Sequence, residues 1–404
     1  AKQEKGNCTV AFFLFSRYLP MHLRSYLLSA QEILSLYKGD VPFTAWLKNY
    51  FRLNKKYGSK DRKLIADLCF CYFRLGHAFQ QLPDEERLLT GQFLCHEESP
   101  FLQQFKPDWM KWANLSVEEK IKVLDEAQLR FIFPFETTIS HEIEKELFAL
   151  SFLQQPDLFL RIRPGNEKQV LRKLQQAGLS FVQEGFCLRL PNATKIEELL
   201  RIDEEVVVQD LSSQQVLTDL LSYLTNVHRS LTVWDCCAAS GGKTILLHDQ
   251  FSKARLTVSD IRESILVNLN NRFKRAGIQH YQSFVVDVSK PQFSLSQSFD
   301  LIICDAPCSG SGTWARTPEH LHFFPQEKIE QYASLQKRIA SNASKSLKPG
   351  GYFLYITCSV FQKENEEVVN YLQQQAGLQP LSQRYFKGYD QKADTLFAAL
   401  FTTS

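Results

Sequence analysis

None of the ten cysteines are paired as CxxC, and no cysteine–histidine group has the spacing of a zinc framework. Cys69 and Cys71, like Cys236 and Cys237, stand too close together for an ordinary disulfide or metal framework. Reduced thiols, a cytoplasmic location and no bound metal are therefore expected. No stretch approaches the ~18 apolar residues of a membrane span, so no membrane partner is expected. Charge of one sign is scarce as well: the net charge is +3, and composition alone demands no nucleic-acid partner. Internal repeats and low-complexity linkers are missing. What is present, 44% hydrophobic and 23% charged residues, is the mixture of a soluble globular protein.

At 404 residues the chain is long enough for two or three domains of roughly 150 residues each. It begins at Ala1, and AFFLFSRYLP (11–20) holds a short apolar run with no small-residue cleavage site after it. Met21 followed by HLRSYLLSAQEIL reads as a natural start, so 1–21 reads as an extraneous or disordered segment. Residues 22–150 carry helical spacing and hardly any strand signal. Leu27, Leu28, Ile33, Leu34 and Leu36 fit one helix; Leu64, Ile65, Leu68, Phe70 and Phe73 fit another. The periodicity changes near 157. DLFLRIR (157–163) reads as a strand, NEKQVLRKLQQAG (166–178) as a helix, SFVQEGFCLRL (180–190) as a hairpin and 194–201 as a short helix. That predicts a small α+β module over 151–205.

From 206 to 404 strands and helices alternate, which predicts a doubly wound parallel sheet. LTVWDCC, RLTVSD, QSFVVDV, FDLIICD and GYFLYITC are strand candidates, and Asp235, Asp260, Asp287, Asp305 and Cys358 fall at or near their carboxyl ends. Ligands of such sheets bind there. DCCAASGGKT (235–244) is a strand-to-helix loop of small residues. It is no P-loop, because Cys237 stands where GxxxxGK[ST] requires glycine, and GxGxxG is absent too. A loop that lets a ligand approach the backbone, an acid about twenty residues on for ribose hydroxyls (Asp260) and another for an adenine amino group (Asp287) indicate an adenosine cofactor without a pyrophosphate. S-adenosylmethionine fits.

Cys308 in DAPC and Cys358 in ITCS each sit at the end of a predicted strand. A lone cysteine is usually a small buried hydrophobe, and Cys236, Cys237 and Cys304 read that way. Methylation of a pyrimidine carbon, however, requires a thiol. Cytosine C5 is a poor nucleophile until a thiolate adds at C6 and turns the ring into an enamine. Asp305 is placed to hold the protonated base, and Lys243 with the helix amino terminus to lower a thiol pKa.

DCCAASGGKT, DAPCSGSGTWARTPE (305–319) and YITCSVFQKENEEVV (355–369) resemble the RsmB/NOP (Sun) family of RNA cytosine-C5 methyltransferases. QDLSSQ (209–214) is similar to the entry to that family's catalytic domain, and ADTLFAALF (393–401) to its closing strand. KNYFRLNKKYGSKDRKLIADLCFCYFRLGH (48–77) resembles the NusB-like domain of the RsmB branch. The resemblance implies a helical NusB-like RNA-binding domain over 22–150 and a Rossmann-like class I methyltransferase domain over 206–404, with an RRM-like module between them. It implies Cys358 as the nucleophile and Cys308 as the residue that assists product release. Cys237, Ala238, Ala239, Ser240, Gly241, Gly242, Lys243, Asp260, Asp287 and Asp305 match cofactor-contacting positions; Arg316 and Pro318 match the active-site loop. Ser240 replaces the usual proline, which predicts a freer loop and weakened cofactor binding, and Ala315 replaces a basic residue.

Lys48, Arg52, Lys55, Lys56, Lys60, Arg62 and Lys63 crowd one stretch against a single acid, Asp61. With an RNA-acting domain beside them, Lys55, Lys56 and Arg62 become phosphate contacts, joined by Arg161 and Arg163 in the module and by Arg316. The target base must be unpaired or flipped out. The reading is a monomeric methyltransferase of small-subunit ribosomal RNA. A transfer RNA substrate, a noncatalytic RNA-binding protein on a decayed fold and antitermination through the NusB-like region are the alternatives.

Overall fold

A computed structural model describes residues 20–135, 138–224 and 230–403; the side chains of Pro20 and Met21, and the reading of 1–19 as extraneous or disordered, lie outside what is described. The chain divides into two units. The first holds the described residues of Ala1–Glu136 with Glu146–Gln154 and Trp314–Phe324; the second holds the described residues of Thr137–Lys145, Gln155–Thr313 and Pro325–Ser404.

The first unit is helical. Its leading helices are α1 (Pro20–Leu36), α2 (Phe43–Leu53), α3 (Ser59–Arg74) and α4 (Asp84–Cys95). Leu27, Ile33, Ile65, Leu68 and Phe73 recur at helical spacing and meet in one core, as their periodicity predicts. Leu28 and Leu36, assigned to the same stripe, face solvent instead. Trp314–Phe324 packs into this unit: the Glu319 carboxylate accepts the Phe43 N–H at 3.0 Å, and Phe323 meets Tyr37 edge to face.

The second unit contains two sheets. The smaller is antiparallel, in the order β2 (Val182–Glu184), β3 (Cys187–Leu190), β1 (Leu158–Ile162) and β4 (Val206–Val208). The predicted hairpin and the helix Glu167–Gln176 are present. The helix predicted at 194–201 is not. Ile196 and Leu200 are buried, but only isolated turn bonds form, such as Leu200 N–H to Ile196 carbonyl at 2.8 Å. The segment is too short to propagate a helix past its nucleus.

The larger sheet runs β10 (Gln379–Phe386), β11 (Leu396–Thr402), β9 (Leu347–Thr357), β8 (Phe299–Asp305), β5 (Thr232–Asp235), β6 (Arg255–Asp260), β7 (Tyr281–Val285). β5 through β9 are parallel; β10 and β11 are antiparallel, so the expected all-parallel sheet is in fact mixed and Rossmann-like. FDLIICD forms β8, buried on both faces, which is why an unbroken apolar run marks it. Chain order reverses between β5 and β8, so the ligand crevice falls at their carboxyl ends.

At the opposite end of β8 the buried Asp300 accepts Thr232 N–H (2.8 Å), Thr232 Oγ1–H (2.7 Å) and Lys348 Nζ (3.0 Å). Burial opposes its charge, yet these bonds outweigh burial and hold the carboxyl at about 2. A folded-state pKa below the unfolded value, about 3.9, gives stability that is complete above that value and lost as pH falls through about 2. Asp300→Asn is expected to cost about 2 kcal/mol at neutral pH, with most of that cost gone by about pH 2, as read by denaturant unfolding at both pH values.

Candidate active site

A cavity of about 560 Å³ opens at the switch point between β5 and β8. Cys237, Ala239, Asp260, Asp287, Asp305, Cys308 and Cys358 all line it. The structure thus brings together residues drawn from more than a hundred positions of sequence. A cavity of about 770 Å³ at the amino ends of the strands contains none of them.

The loop after β5 has an unusual backbone. Ala239 (φ 46°) and Gly241 (φ 82°) both occupy left-handed conformations. A Cβ on Gly241 would stand 2.6 Å from Phe273 Cε1, so that position requires glycine for space as well as for φ. The expected loosening at Ser240 is corrected: Arg272 Nη1 donates to its hydroxyl (3.0 Å) and its carbonyl (3.1 Å). Arg272 itself is held by Asp203 at 2.7 Å, so a hydrogen-bonded side chain pins the loop where the family uses proline. Ala238, Ser240, Gly241 and Gly242 shape the loop but do not line the cavity.

Asp260 ends β6, and its carboxylate accepts Ala239 N–H at 3.1 Å and Arg262 N–H and Nε–H at 3.0 Å each. Asp287 stands two residues beyond the end of β7 and accepts Ser289 N–H and Oγ–H in a tight turn. Lys243 Nζ and Asp305 Oδ2 form a 2.6 Å ion pair. Burial would lower the Lys243 pKa, but Asp305 and other nearby anions outweigh it and raise it. Asp235, behind the loop, is pushed up to about 7 by burial, and its Oδ2 accepts the Thr244 Oγ1–H at 2.6 Å.

The Sγ atoms of Cys308 and Cys358 are 3.3 Å apart. The hydrogen bond to Cys358, then burial, raises the Cys308 thiol well above its ordinary range, so Cys308 keeps its proton. Two loops carry these thiols, and one buried carboxylate clamps both. Glu364 accepts Ser309 N–H (2.8 Å), Ser359 Oγ–H (2.8 Å) and Gln336 Nε2–H (2.9 Å). Gly312 N–H donates to the Cys358 carbonyl at 2.9 Å, and a Cβ at Gly312 would lie 2.0 Å from the Thr395 carbonyl. Neither Glu364 nor Gln336 was singled out from sequence. The signal lay in the hydroxyls beside the thiols, Ser309 and Ser311 in SGSG (309–312) and Ser359 after Cys358, which need a buried partner.

Cys236, Cys237 and Cys304, read as separate buried hydrophobes, gather within 4.8 Å of one another beneath the loop. Arg161 and Arg163 are withdrawn from the RNA-contact set. Both are buried and spent on Asp249, at 2.5 Å and 2.7 Å, fastening the small sheet to the helix Gly242–Gln250. Lys55 and Lys56 are exposed, whereas Arg62 is half-buried and donates to the Tyr57 carbonyl; the interleaved Tyr50, Phe51 and Tyr57 belong to the core. Arg316 and Pro318 lie in the segment packed with the helical unit.

The strand order, with an antiparallel β11 beside β9, and the cavity at the switch point define a Rossmann-like methyltransferase fold. Residues 222–397 match the family described as 16S rRNA methyltransferase RsmB/F. The chain is 31% identical over 227 residues to ribosomal RNA small subunit methyltransferase B of Klebsiella pneumoniae, covering 54% of this chain and 51% of that protein. It is 30% identical over 231 residues to the protein of that name from Xylella fastidiosa, covering 56% and 53%. The chain thus spans about half the length of the curated relatives it matches. Among solved structures, PH0851 superposes with a TM-score of 0.68 at 19% identity, over 95% of this chain and 99% of that one. NSun6 from Pyrococcus horikoshii with SFG superposes at 0.58 and 16% identity, over 67% and 96%. Over residues 222–397 the chain is therefore similar to the RsmB/F methyltransferases.

Proposed function

We propose that the protein methylates C5 of a cytosine in RNA, with small-subunit ribosomal RNA as substrate and the bacterial cytoplasm as its location. The observation that carries this reading is the thiol pair 3.3 Å apart on the wall of the cofactor-sized cavity. Two cysteines converging there serve a covalent pyrimidine mechanism, whereas a direct transfer to nitrogen or oxygen needs neither.

The cavity residues suit S-adenosylmethionine, whose sulfonium supplies an electrophilic methyl group. Asp260 accepts the ribose hydroxyls, Asp287 the adenine amino group, and the backbone of 237–243 admits the amino-acid end. The Cys358 thiolate forms a bond to cytosine C6, and the displaced π electrons make C5 nucleophilic. Asp305, held by Lys243, binds the ring edge and stabilises the added proton at N3. After C5 has taken the methyl group, its proton passes to a solvent base, the C–H electron pair restores the C5=C6 bond, and the C6–S bond breaks with its electron pair returning to Cys358. Cys308 assists that release. Lys55, Lys56 and Arg62 track phosphate, and Arg316 follows the catalytic loop.

Asp260→Ala is expected to weaken S-adenosylmethionine binding by about 10- to 100-fold, because hydrogen bonds to a charged acceptor are lost. Calorimetry measures this, and an unchanged affinity contradicts the role. Bisulfite sequencing of ribosomal and transfer RNA from cells lacking the protein tests the substrate. Loss of one methylated cytosine in small-subunit ribosomal RNA is expected. Loss confined to transfer RNA selects that substrate instead, and no loss in either contradicts the enzymatic reading.

A further inference from the structure

A cluster in the helical unit aims three different donor atoms at one point and plays no part in the chemistry above. Asp67 and Cys71 are one turn apart on α3 and share a face, while His96 caps the carboxyl end of α4. His96 Nε2 stands 3.3 Å from Cys71 Sγ and 2.9 Å from Asp67 Oδ2, and that oxygen lies 4.0 Å from the sulfur. A tetrahedral zinc ion, with sulfur at ~2.3 Å and nitrogen and oxygen at ~2.0–2.2 Å, sets such atoms about 3.3–3.6 Å apart. The observed distances bracket that span, so movements of a few tenths of an ångström complete the geometry.

We propose that Asp67, Cys71 and His96 form a zinc(II) site that ties α3 to the end of α4, with solvent as the fourth ligand. The donor set selects the metal. One thiolate, one imidazole and one carboxylate suit a borderline divalent ion, whereas magnesium and calcium require oxygen shells. The thiolate and carboxylate together neutralise its charge.

An oriented outer shell supports the ligands. Gln92 is 1% exposed, and its Nε2 donates to Asp67 Oδ2 at 2.7 Å and to Cys71 Sγ at 3.4 Å. Ser99 Oγ–H fixes the other end of that amide at 2.8 Å. A buried amide that donates to both anionic ligands is the arrangement that sets ligand orientation at metal sites. Entry is open, because the side chains of His96 and Asp67 are 35% and 41% exposed. The spacing rules of zinc frameworks miss the cluster because its ligands come from two helices and include a carboxylate.

The test titrates the full chain, stripped with a chelator, first with Co²⁺ and then with Zn²⁺. A four-coordinate cobalt ligand-field band and a thiolate-to-cobalt charge-transfer band are expected to saturate at one equivalent and to be displaced by Zn²⁺. Zn²⁺ is also expected to raise the unfolding temperature. Cys71→Ser abolishes the charge-transfer band. His96→Gln, at a half-exposed helix end where it folds normally by circular dichroism, weakens cobalt binding at least about tenfold and removes the thermal response. Cys237→Ser, in the other thiol cluster, retains both signals. Absence of the bands, their survival in Cys71→Ser, or their loss in Cys237→Ser overturns the proposal.

Discussion

Cys358→Ala is expected to abolish methyl transfer to RNA, with turnover falling on the order of 10⁴-fold or more, as removal of a covalent nucleophile does elsewhere. The residual activity has no other route, since C5 carries no useful nucleophilicity until a bond forms at C6. Cofactor affinity is expected to change little, because the acids proposed to hold the adenosine end stand elsewhere, Asp260 at the end of β6 and Asp287 just beyond β7. Transfer of a labelled methyl group to RNA measures the first effect and calorimetry the second. Activity within about tenfold of wild type removes Cys358 from the mechanism.

Cys308→Ala is expected to do something different in kind. The first bond at C6 still forms and the methyl group is still transferred, but release stalls. A covalent protein–RNA species then accumulates, seen as a band of retarded mobility that survives denaturation and disappears on nuclease treatment. The geometry explains the asymmetry. Cys308 lies 3.3 Å from the attacking sulfur and keeps its own proton, so its sulfur is at hand when the C6 bond must break. Multiple turnover is lost while a single methylation event per protein persists. Loss of both, with no adduct, assigns the attack to Cys308 instead.

Legibility from sequence followed burial. β8 was plain because a central parallel strand, covered on both faces, reads as FDLIICD without interruption. β10 was invisible, since this edge strand carries Pro380 and buries only its last two residues, Tyr385 and Phe386. The two thiols were legible as strand-end residues in distinctive motifs, but their 3.3 Å separation was not, because it depends on Glu364 and Gln336. Those two sit among ordinary charged and amide residues of helical segments, where a solvated side chain is the common case. Arg163 failed in the opposite direction. A basic residue expected to face RNA is a buried partner of Asp249, and nothing local distinguishes the two fates.

The central claim is that Cys358, and not Cys308, forms the bond to the base. RNA containing 5-fluorocytidine tests it, because fluorine at C5 blocks proton loss and freezes the adduct after methyl transfer. With S-adenosylmethionine present, the wild-type protein is expected to be trapped, and mass spectrometry of the digested complex should place the nucleotide on the peptide containing Cys358. The modification found on the peptide containing Cys308 contradicts the account.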